Sequence, residues 1–175
     1  MNRPLVFRNI GRFLLLVALQ LLVFNNVYLG GYINPCIYLL FIAMLPTNTG
    51  KIPMLLIAFF TGLVVDVSTN LPGFHTFACT AVGFLRSIWL DRIIIRDDGE
   101  AVETPSIRSG SYQLFALYLF LLLLVFYVIY YSLLIFSFRE MPSILLSSLL
   151  SAAVTWVLAI LYQTLFLRKN KTGEL

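Results

Sequence analysis

The charged residues of this chain interrupt a series of long, uncharged apolar stretches. If each stretch crosses a membrane, all of the 12 Lys and Arg residues except Arg139 fall on the same side. Basic loops stay in the cytoplasm during insertion, so this asymmetry is typical of a polytopic membrane protein and fixes its orientation. With 60% hydrophobic and 11% charged residues, little is left for the surface of a soluble domain. We therefore expect an all-α integral membrane protein.

The uncharged stretches predict six transmembrane helices in one bundle, a single domain covering residues 1–175. About 20 apolar residues cross the hydrocarbon core, so the stretch 13–50 holds two spans and each later stretch holds one. The expected spans are residues 13–28, 32–46, 53–69, 74–90, 112–136 and 142–167, with a cytoplasmic loop at 91–111. Both termini are then cytoplasmic. No small-residue cleavage site follows the first span, which favours a first anchor over a removed signal peptide.

The second span is short and is framed by prolines. Asn34 and Pro35 predict its start, with Asn34 as the N-cap and Pro35 at the first helical position, and Pro46 ends it. From Pro35 to Leu45 a helix rises only about 16 Å, whereas the hydrocarbon core is about 30 Å thick. Either the preceding segment enters the bilayer under a cover of protein, or the bilayer thins there.

Asp66 is the one acidic residue inside an expected span. A carboxylate at the bilayer centre costs about 2.5–3.5 kcal/mol, and less near the surface, so we expect Asp66 to have partners. One hypothesis is a side-chain pair with His75, the only histidine, that titrates or binds a ligand. The simpler hypothesis, which we favour, is that Asp66 braces the turn after the third span. It would accept hydrogen bonds from backbone amides at Ser68–Gly73, with His75 at the membrane interface.

Small residues recur at helical spacing on three of the expected helices. They are Ala58 and Gly62 on the third, Thr76, Thr80, Gly83 and Ser87 on the fourth, and Ser147, Ser151 and Thr155 on the sixth. Small faces let helix backbones approach closely in a membrane. We therefore expect the third, fourth and sixth helices to form a tight core and the fifth to face lipid or a partner protein. Arg86, near the inner end of the fourth span, is expected to extend its guanidinium to the headgroups.

The residue inventory argues against an enzyme. A single histidine excludes His-x-x-x-His metal sites, and a single intramembrane acid excludes a two-aspartate mechanism. Ser68 and His75 lack the Gly-flanked serine motif of a hydrolase. Cys36 and Cys79 have no ligand-like spacing, and the basic residues are scattered. We expect no cofactor, no metal site and no nucleic-acid binding.

The run from Gly62 through Asp66, followed by Leu71-Pro-Gly-Phe-His75, resembles the MreD family of rod-shape-determining proteins of the bacterial inner membrane. That family shows a glycine, an aspartate four residues later and a Leu-Gly turn into the next helix. Asn34-Pro35 before a short second helix and the basic residues 168–171 after the last helix agree with it. Here Pro72 stands between the family's Leu and Gly.

The resemblance implies a non-catalytic membrane scaffold of the peptidoglycan elongation complex, which binds the bitopic protein MreC and supports rod shape. Further partners would be the glycan polymerase, the transpeptidase, membrane lipid and, indirectly, the MreB filament. The residues given structural or partner-related roles are Gly62, Asp66, Gly73, His75, Asn34 and Pro35.

The same resemblance implies a helix arrangement similar to that of the substrate-binding components of energy-coupling-factor transporters. Small-molecule (vitamin) binding is therefore the alternative function. Those components carry an Ala-x-x-x-Ala motif on the first helix, whereas the first span here has only Ala18. The outer loops are also short for closing over a ligand. An intramembrane enzyme is ranked last.

Overall fold

The computed structural model describes residues 3–26, 33–93 and 112–166, and these residues contain six α-helices. The helices are α1 (Arg3–Leu22), α2 (Leu39–Ala43), α3 (Lys51–Thr69), α4 (Phe74–Ile93), α5 (Tyr112–Ile135) and α6 (Met141–Phe166), with short 3₁₀ turns at Phe24–Asn26 and Phe138–Glu140. The expected all-α class is confirmed for this part of the chain. Apart from its first residues, which end α4, the expected loop at 91–111 lies outside the described residues.

Three of the described helices, α3, α5 and α6, are long and apolar enough to cross a membrane, judged by length and composition. Large apolar side chains are exposed on their outward faces, including Phe59 and Leu63 on α3 and Leu149 and Leu161 on α6. In water, apolar faces of this extent would need a covering partner, whereas lipid covers them directly. The fold is therefore compatible with a membrane location.

The long helices pack in chain order, with α3 against α4, α4 against α5, and α5 against α6. The expected core of third, fourth and sixth helices was therefore wrong, because α5 stands between α4 and α6. A larger share of α5 is buried than of α3 or α6, since its aromatic side chains fill the space between its neighbours. The buried aromatic residues of α5 are Phe115, Tyr118, Phe126, Tyr127, Tyr130 and Tyr131.

The small residues of α6 do lie at a helix interface, but their neighbour is α5. The Ser151 Oγ lies 2.9 Å from the Tyr131 hydroxyl, and the Thr155 Oγ1 lies 2.6 Å from the Tyr127 hydroxyl. A buried tyrosine needs both room for its ring and a partner for its hydroxyl. Ser and Thr supply both, which explains why this face of α6 is small and polar.

The small faces of α3 and α4 meet as expected. A Cβ built on Gly83 would lie 2.8 Å from the Ala58 Cβ, and a Cβ built on Gly62 would lie 2.5 Å from the Thr76 Cα. Real Cβ atoms essentially never approach that closely. The two helices are therefore in contact at a distance that only glycine permits at these positions, as small-residue packing in membranes predicts.

The segment that contains α2 occupies the centre of the core. Every residue from Cys36 to Leu45 is buried, and α2 packs against α1, α4 and α5. The regular α-helix is shorter than the one expected from Pro35, and the prediction of Asn34 as its N-cap was wrong. Tyr38 occupies the N-cap position without a side-chain cap bond. The segment expected to precede this helix lies largely outside the described residues, so the choice between its entry into the bilayer and a thinner bilayer stays a prediction.

Two arginines hold the C-terminal end of α2. Arg12 of α1 donates to the Met44 carbonyl at 3.4 Å, and Arg86 of α4 donates to the Leu45 carbonyl. Carbonyls at a helix C-terminus lack intrahelical partners and favour a nearby cation. Arg86 is only 1% exposed, so its expected extension to the headgroups was wrong. Its guanidinium stays inside the protein because it reaches the Leu45 carbonyl, which follows α2.

Candidate functional site

The carboxylate of Asp66, near the end of α3, holds the first turn of α4. Its Oδ1 accepts a hydrogen bond from the His75 backbone amide at 3.0 Å. Its Oδ2 accepts from the Thr76 amide at 2.7 Å and from the Thr76 hydroxyl at 2.6 Å. First-turn amides have no intrahelical partner, and a side-chain oxygen at the N-cap usually satisfies them. Gly73, which precedes α4, has no such oxygen, so Asp66 supplies it from the preceding helix.

Asp66 therefore braces the turn, as the simpler hypothesis predicted, although its partners differ from the expected amides at Ser68–Gly73. Asn70 ends α3 in the left-handed conformation, with a φ of 55°, and its amide bonds to the Asp66 carbonyl. The Leu71 amide bonds to the same carbonyl at 3.1 Å. Because a main-chain carbonyl already accepts hydrogen bonds from these turn amides, both carboxylate oxygens can accept hydrogen bonds from α4.

Two glycines of the predicted motif make this junction possible. Gly73 has a φ of +100°, a conformation that residues with a Cβ rarely adopt. Gly62, one helical turn before Asp66, lies against the backbone of His75 and Thr76, where a Cβ would be as close as 2.5 Å. Gly62, Asp66, Gly73 and His75 are therefore brought together at one helix junction.

His75 is buried inside this junction, so its expected position at the membrane interface was wrong. The residue is 2% exposed. Its Nδ1 lies 2.9 Å from the Tyr38 hydroxyl, and its ring centroid lies 4.6 Å from that of Tyr130. The ring therefore pairs with a tyrosine, and the bond to Asp66 is made by the backbone amide. Aromatic neighbours from α2 and α5 give the imidazole an interior position that the chain alone did not indicate.

Asn34 lies in a second polar cluster, where side chains of α5 and α6 bind its main-chain groups. Its amide donates to the Ser151 Oγ at 3.2 Å, and its carbonyl accepts from the Tyr127 hydroxyl at 2.7 Å. The neighbouring Cys36 amide donates to the Tyr127 hydroxyl at 2.8 Å and lies 3.2 Å from the Thr155 Oγ1. Side chains of α5 and α6 thus satisfy backbone groups that a helix would have satisfied internally.

Gln20 of α1 performs the same task from the opposite side. Its Nε2 donates to the Pro35 carbonyl at 3.0 Å, and its Oε1 accepts from the Ile37 amide at 2.9 Å. Buried backbone groups outside regular helices need hydrogen-bond partners from elsewhere in the protein. The Pro35 carbonyl therefore has its hydrogen-bond partner in a side chain of another helix, and not in a helix that contains Pro35.

Two residues with central roles were missed as partners in the sequence, Tyr38 and Tyr127, whereas the amide of Gln20 within the first span predicted contact with neighbouring helices or the outer interface. Tyr38 connects the α2 segment to α4, since its hydroxyl lies 2.9 Å from the His75 Nδ1 and 3.5 Å from the Cys79 Sγ. A tyrosine hydroxyl or glutamine amide within an apolar helix is a signal in itself, because each must find a partner when buried. That signal indicates the need for a partner, but not which residue it is.

No protein-family model, curated protein or solved structure matches the chain. The site is therefore interpreted from its own residues. Within the described ranges, no group of three or more His, Cys, Asp or Glu side chains could hold a metal ion. Both oxygens of the Asp66 carboxylate accept hydrogen bonds from α4. The hydrogen bonds of this site therefore serve to hold the other helices together around the α2 segment.

Proposed function

We propose that this chain is a multi-pass protein of the bacterial inner membrane, with six spans and both termini in the cytoplasm. It acts as a non-catalytic scaffold that binds MreC and supports rod shape, as the resemblance to MreD implies. Helices α3, α5 and α6 have the length and composition of spans. Helix α4 has 20 residues and is about 30 Å long, the thickness of the hydrocarbon core, and the uncharged part of α1, which begins at Phe13, starts the first span.

The segment around α2 supplies the remaining span in this proposal. A helix of five residues is far shorter than the core. Extended backbone, however, covers up to about 3.3 Å per residue, twice the rise of a helix. The non-helical residues before α2 therefore make up part of the missing length, and the side chains that satisfy their amides and carbonyls support their position inside the bilayer.

The observation that carries the scaffold proposal is the occupancy of the Asp66 carboxylate. Its two oxygens accept three hydrogen bonds that hold α3 to α4. A general acid or base must instead exchange protons with a substrate within reach. His75, the other titratable group of the junction, is buried and paired with Tyr38. The two side chains of the junction that could transfer protons, Asp66 and His75, are therefore both engaged in hydrogen bonds within the protein.

A scaffold within the bilayer binds other proteins through the outward faces of its helices. Opposite the side that packs on α5, α6 presents a continuous apolar face. Its exposed members are Leu145, Leu146, Leu149, Leu150, Val157, Leu161 and Leu165. We assign the single membrane helix of MreC to this face, where ridges of side chains on one helix fit the grooves of the other.

Co-expression with tagged MreC tests the proposal. A photo-crosslinking residue is introduced at Leu149 or Leu161 on α6, with Phe59 and Leu63 on the exposed side of α3 as matched controls. We expect co-purification with MreC and crosslinks from α6 only. Crosslinks from α3 alone would show that MreC binds α3 instead of α6. Folded protein that captures no MreC would contradict the scaffold function. A small molecule retained by the purified protein and identified by mass spectrometry would favour vitamin binding instead.

A further inference from the structure

An apolar groove runs between α1, the α2 segment and α3, away from the α6 face. Its volume of about 530 Å³ lies within the range of about 300–1,000 Å³ typical of ligand sites. The main apolar walls are Ile10 and Phe13 of α1 and Leu56, Ile57, Phe60 and Val64 of α3.

The length of the groove matches one leaflet of a membrane. Along α3 it extends from Pro53 to Val64, a rise of about 16 Å. Half of the hydrocarbon core is about 15 Å. The groove therefore fits a chain that comes from a single leaflet, whereas the membrane helix of a partner protein crosses both.

One end of the groove is polar. Asn9 lines it together with Thr49, at the same end as Pro53. Asn9 is 9% exposed, and its side-chain oxygen has no hydrogen-bond partner. A buried acceptor without a donor is unfavourable, so the Asn9 side chain would gain a hydrogen bond by turning toward a ligand that brings a donor to the end of an apolar chain.

Basic residues flank the polar end. Arg8 comes one residue before Asn9 in α1 and Arg12 three residues after it, and Lys51 begins α3 two residues before Pro53. Arg8 and Lys51 are exposed, and Arg12 is partly exposed although it binds the Met44 carbonyl. Cations at the membrane surface attract anionic headgroups. The charges therefore complement a phosphate placed at the end of the groove.

We propose that this groove binds one phospholipid of the leaflet on the basic side of the membrane. An acyl chain lies along α3, and an anionic headgroup that carries hydroxyl donors, as in phosphatidylglycerol, lies between Asn9 and the basic residues. The site is independent of MreC binding and of the α6 face.

Native mass spectrometry of the detergent-purified full chain tests this site. The protein is incubated with phosphatidylglycerol or with phosphatidylcholine, whose headgroup has no hydrogen-bond donor and no net charge. We expect one bound phosphatidylglycerol, retained about tenfold better than phosphatidylcholine. Asn9→Leu should lower phosphatidylglycerol retention about fivefold without changing phosphatidylcholine, as expected for the loss of one hydrogen bond.

A matched pair of variants locates the lipid. Leu56→Trp adds bulk inside the groove, whereas Leu63→Trp makes the same change on an exposed part of α3 outside its lining. Leu56→Trp should reduce retention about tenfold and Leu63→Trp should leave it unchanged. If Leu56→Trp fails to fold, Phe60→Trp provides a smaller change on the same wall.

Three outcomes would overturn the proposal. The first is equal lipid retention by folded groove and control variants. The second is equal retention of the two lipids together with no effect of Asn9→Leu. The third is unchanged lipid retention while a groove variant loses a co-purifying polypeptide, which would assign the groove to a protein partner.

Discussion

Thr76 presents its backbone amide and its hydroxyl to the same oxygen of Asp66, at 2.7 Å and 2.6 Å. Two donors from one residue fix the orientation of the carboxylate, and the His75 amide binds its other oxygen at 3.0 Å. Helices α3 and α4 therefore cannot separate without leaving a buried acid and two first-turn amides unpaired.

Replacing Asp66 should destabilise this junction in proportion to the acceptors that are removed. Asp66→Ala leaves two amides and a hydroxyl without an acceptor, at about 1–3 kcal/mol for each buried group. We expect lower folded yield, a lower thermal denaturation temperature and reduced MreC capture together. Asp66→Asn keeps one accepting oxygen and should be milder. Fluorescence-detected size-exclusion chromatography after heating measures stability. Normal folding and MreC capture in both variants, with loss of cell shape, would favour a proton-linked role.

Gly62→Ala should push α3 and α4 apart, because the new Cβ would lie 2.5 Å from the Thr76 Cα. Overpacking of this kind typically costs about 1–3 kcal/mol, and a contact with backbone relaxes less easily than one with a side chain. Gly11→Ala is the matched control, since a Cβ on Gly11 would meet no heavy atom within 4 Å. It should be neutral or stabilising by up to about 1 kcal/mol through helix propensity. Equal denaturation temperatures for the two variants would contradict the close packing.

Tyr127→Phe should destabilise the segment before α2, because it removes one hydroxyl that binds both the Asn34 carbonyl and the Cys36 amide. The loss of bonds to two buried backbone groups predicts a cost of about 2–4 kcal/mol. Tyr162→Phe is the control, since it keeps the ring that stacks on Phe166 at 4.9 Å. Thermal denaturation in detergent compares the two. A Tyr127→Phe variant as stable as the control would show that the hydroxyl is dispensable.

Both cysteines of the chain should be protected from thiol reagents in the native state. Cys36 and Cys79 are free thiols with 0% exposure. A maleimide should therefore react slowly with native protein and rapidly after unfolding in sodium dodecyl sulfate. Asp66→Ala should accelerate labelling of Cys79, which lies one turn after His75 on α4. Gel-shift labelling with single-cysteine variants measures each rate, and equal native and unfolded rates would refute the burial.

The sequence predicted the long apolar helices well. The expected spans 53–69, 112–136 and 142–167 correspond to α3, α5 and α6 with ends that differ by two residues or fewer. Their limits follow from local chemistry, since charges and prolines bound each apolar stretch. The junction motif was also accessible, because Gly62, Asp66 and His75 lie close together along the chain and one turn brings them into contact.

The position of α5 and the shape of the α2 segment could not be predicted from the sequence in the same way. Tyr127 binds the Asn34 carbonyl across 93 residues of chain, and hydrophobic periodicity contains no information on such pairs. The tyrosines of α5 looked compatible with a lipid-facing helix because their hydroxyl partners are main-chain groups and small hydroxyls elsewhere. The burial of His75 and Arg86 has the same origin, since each is held by residues of the α2 segment.

The dependence of residues 34–36 on α5 and α6 has a consequence for biogenesis. The Asn34 amide finds its acceptor on Ser151, 117 residues later, and the Cys36 amide finds one on Tyr127, 91 residues later. During synthesis this stretch leaves the ribosome long before either acceptor exists. It therefore cannot reach its final arrangement until α6 has been synthesised and packed. A chain that ends before α6 would leave the Asn34 amide without the acceptor that Ser151 provides, so the local structure of residues 34–36 depends on the last helix.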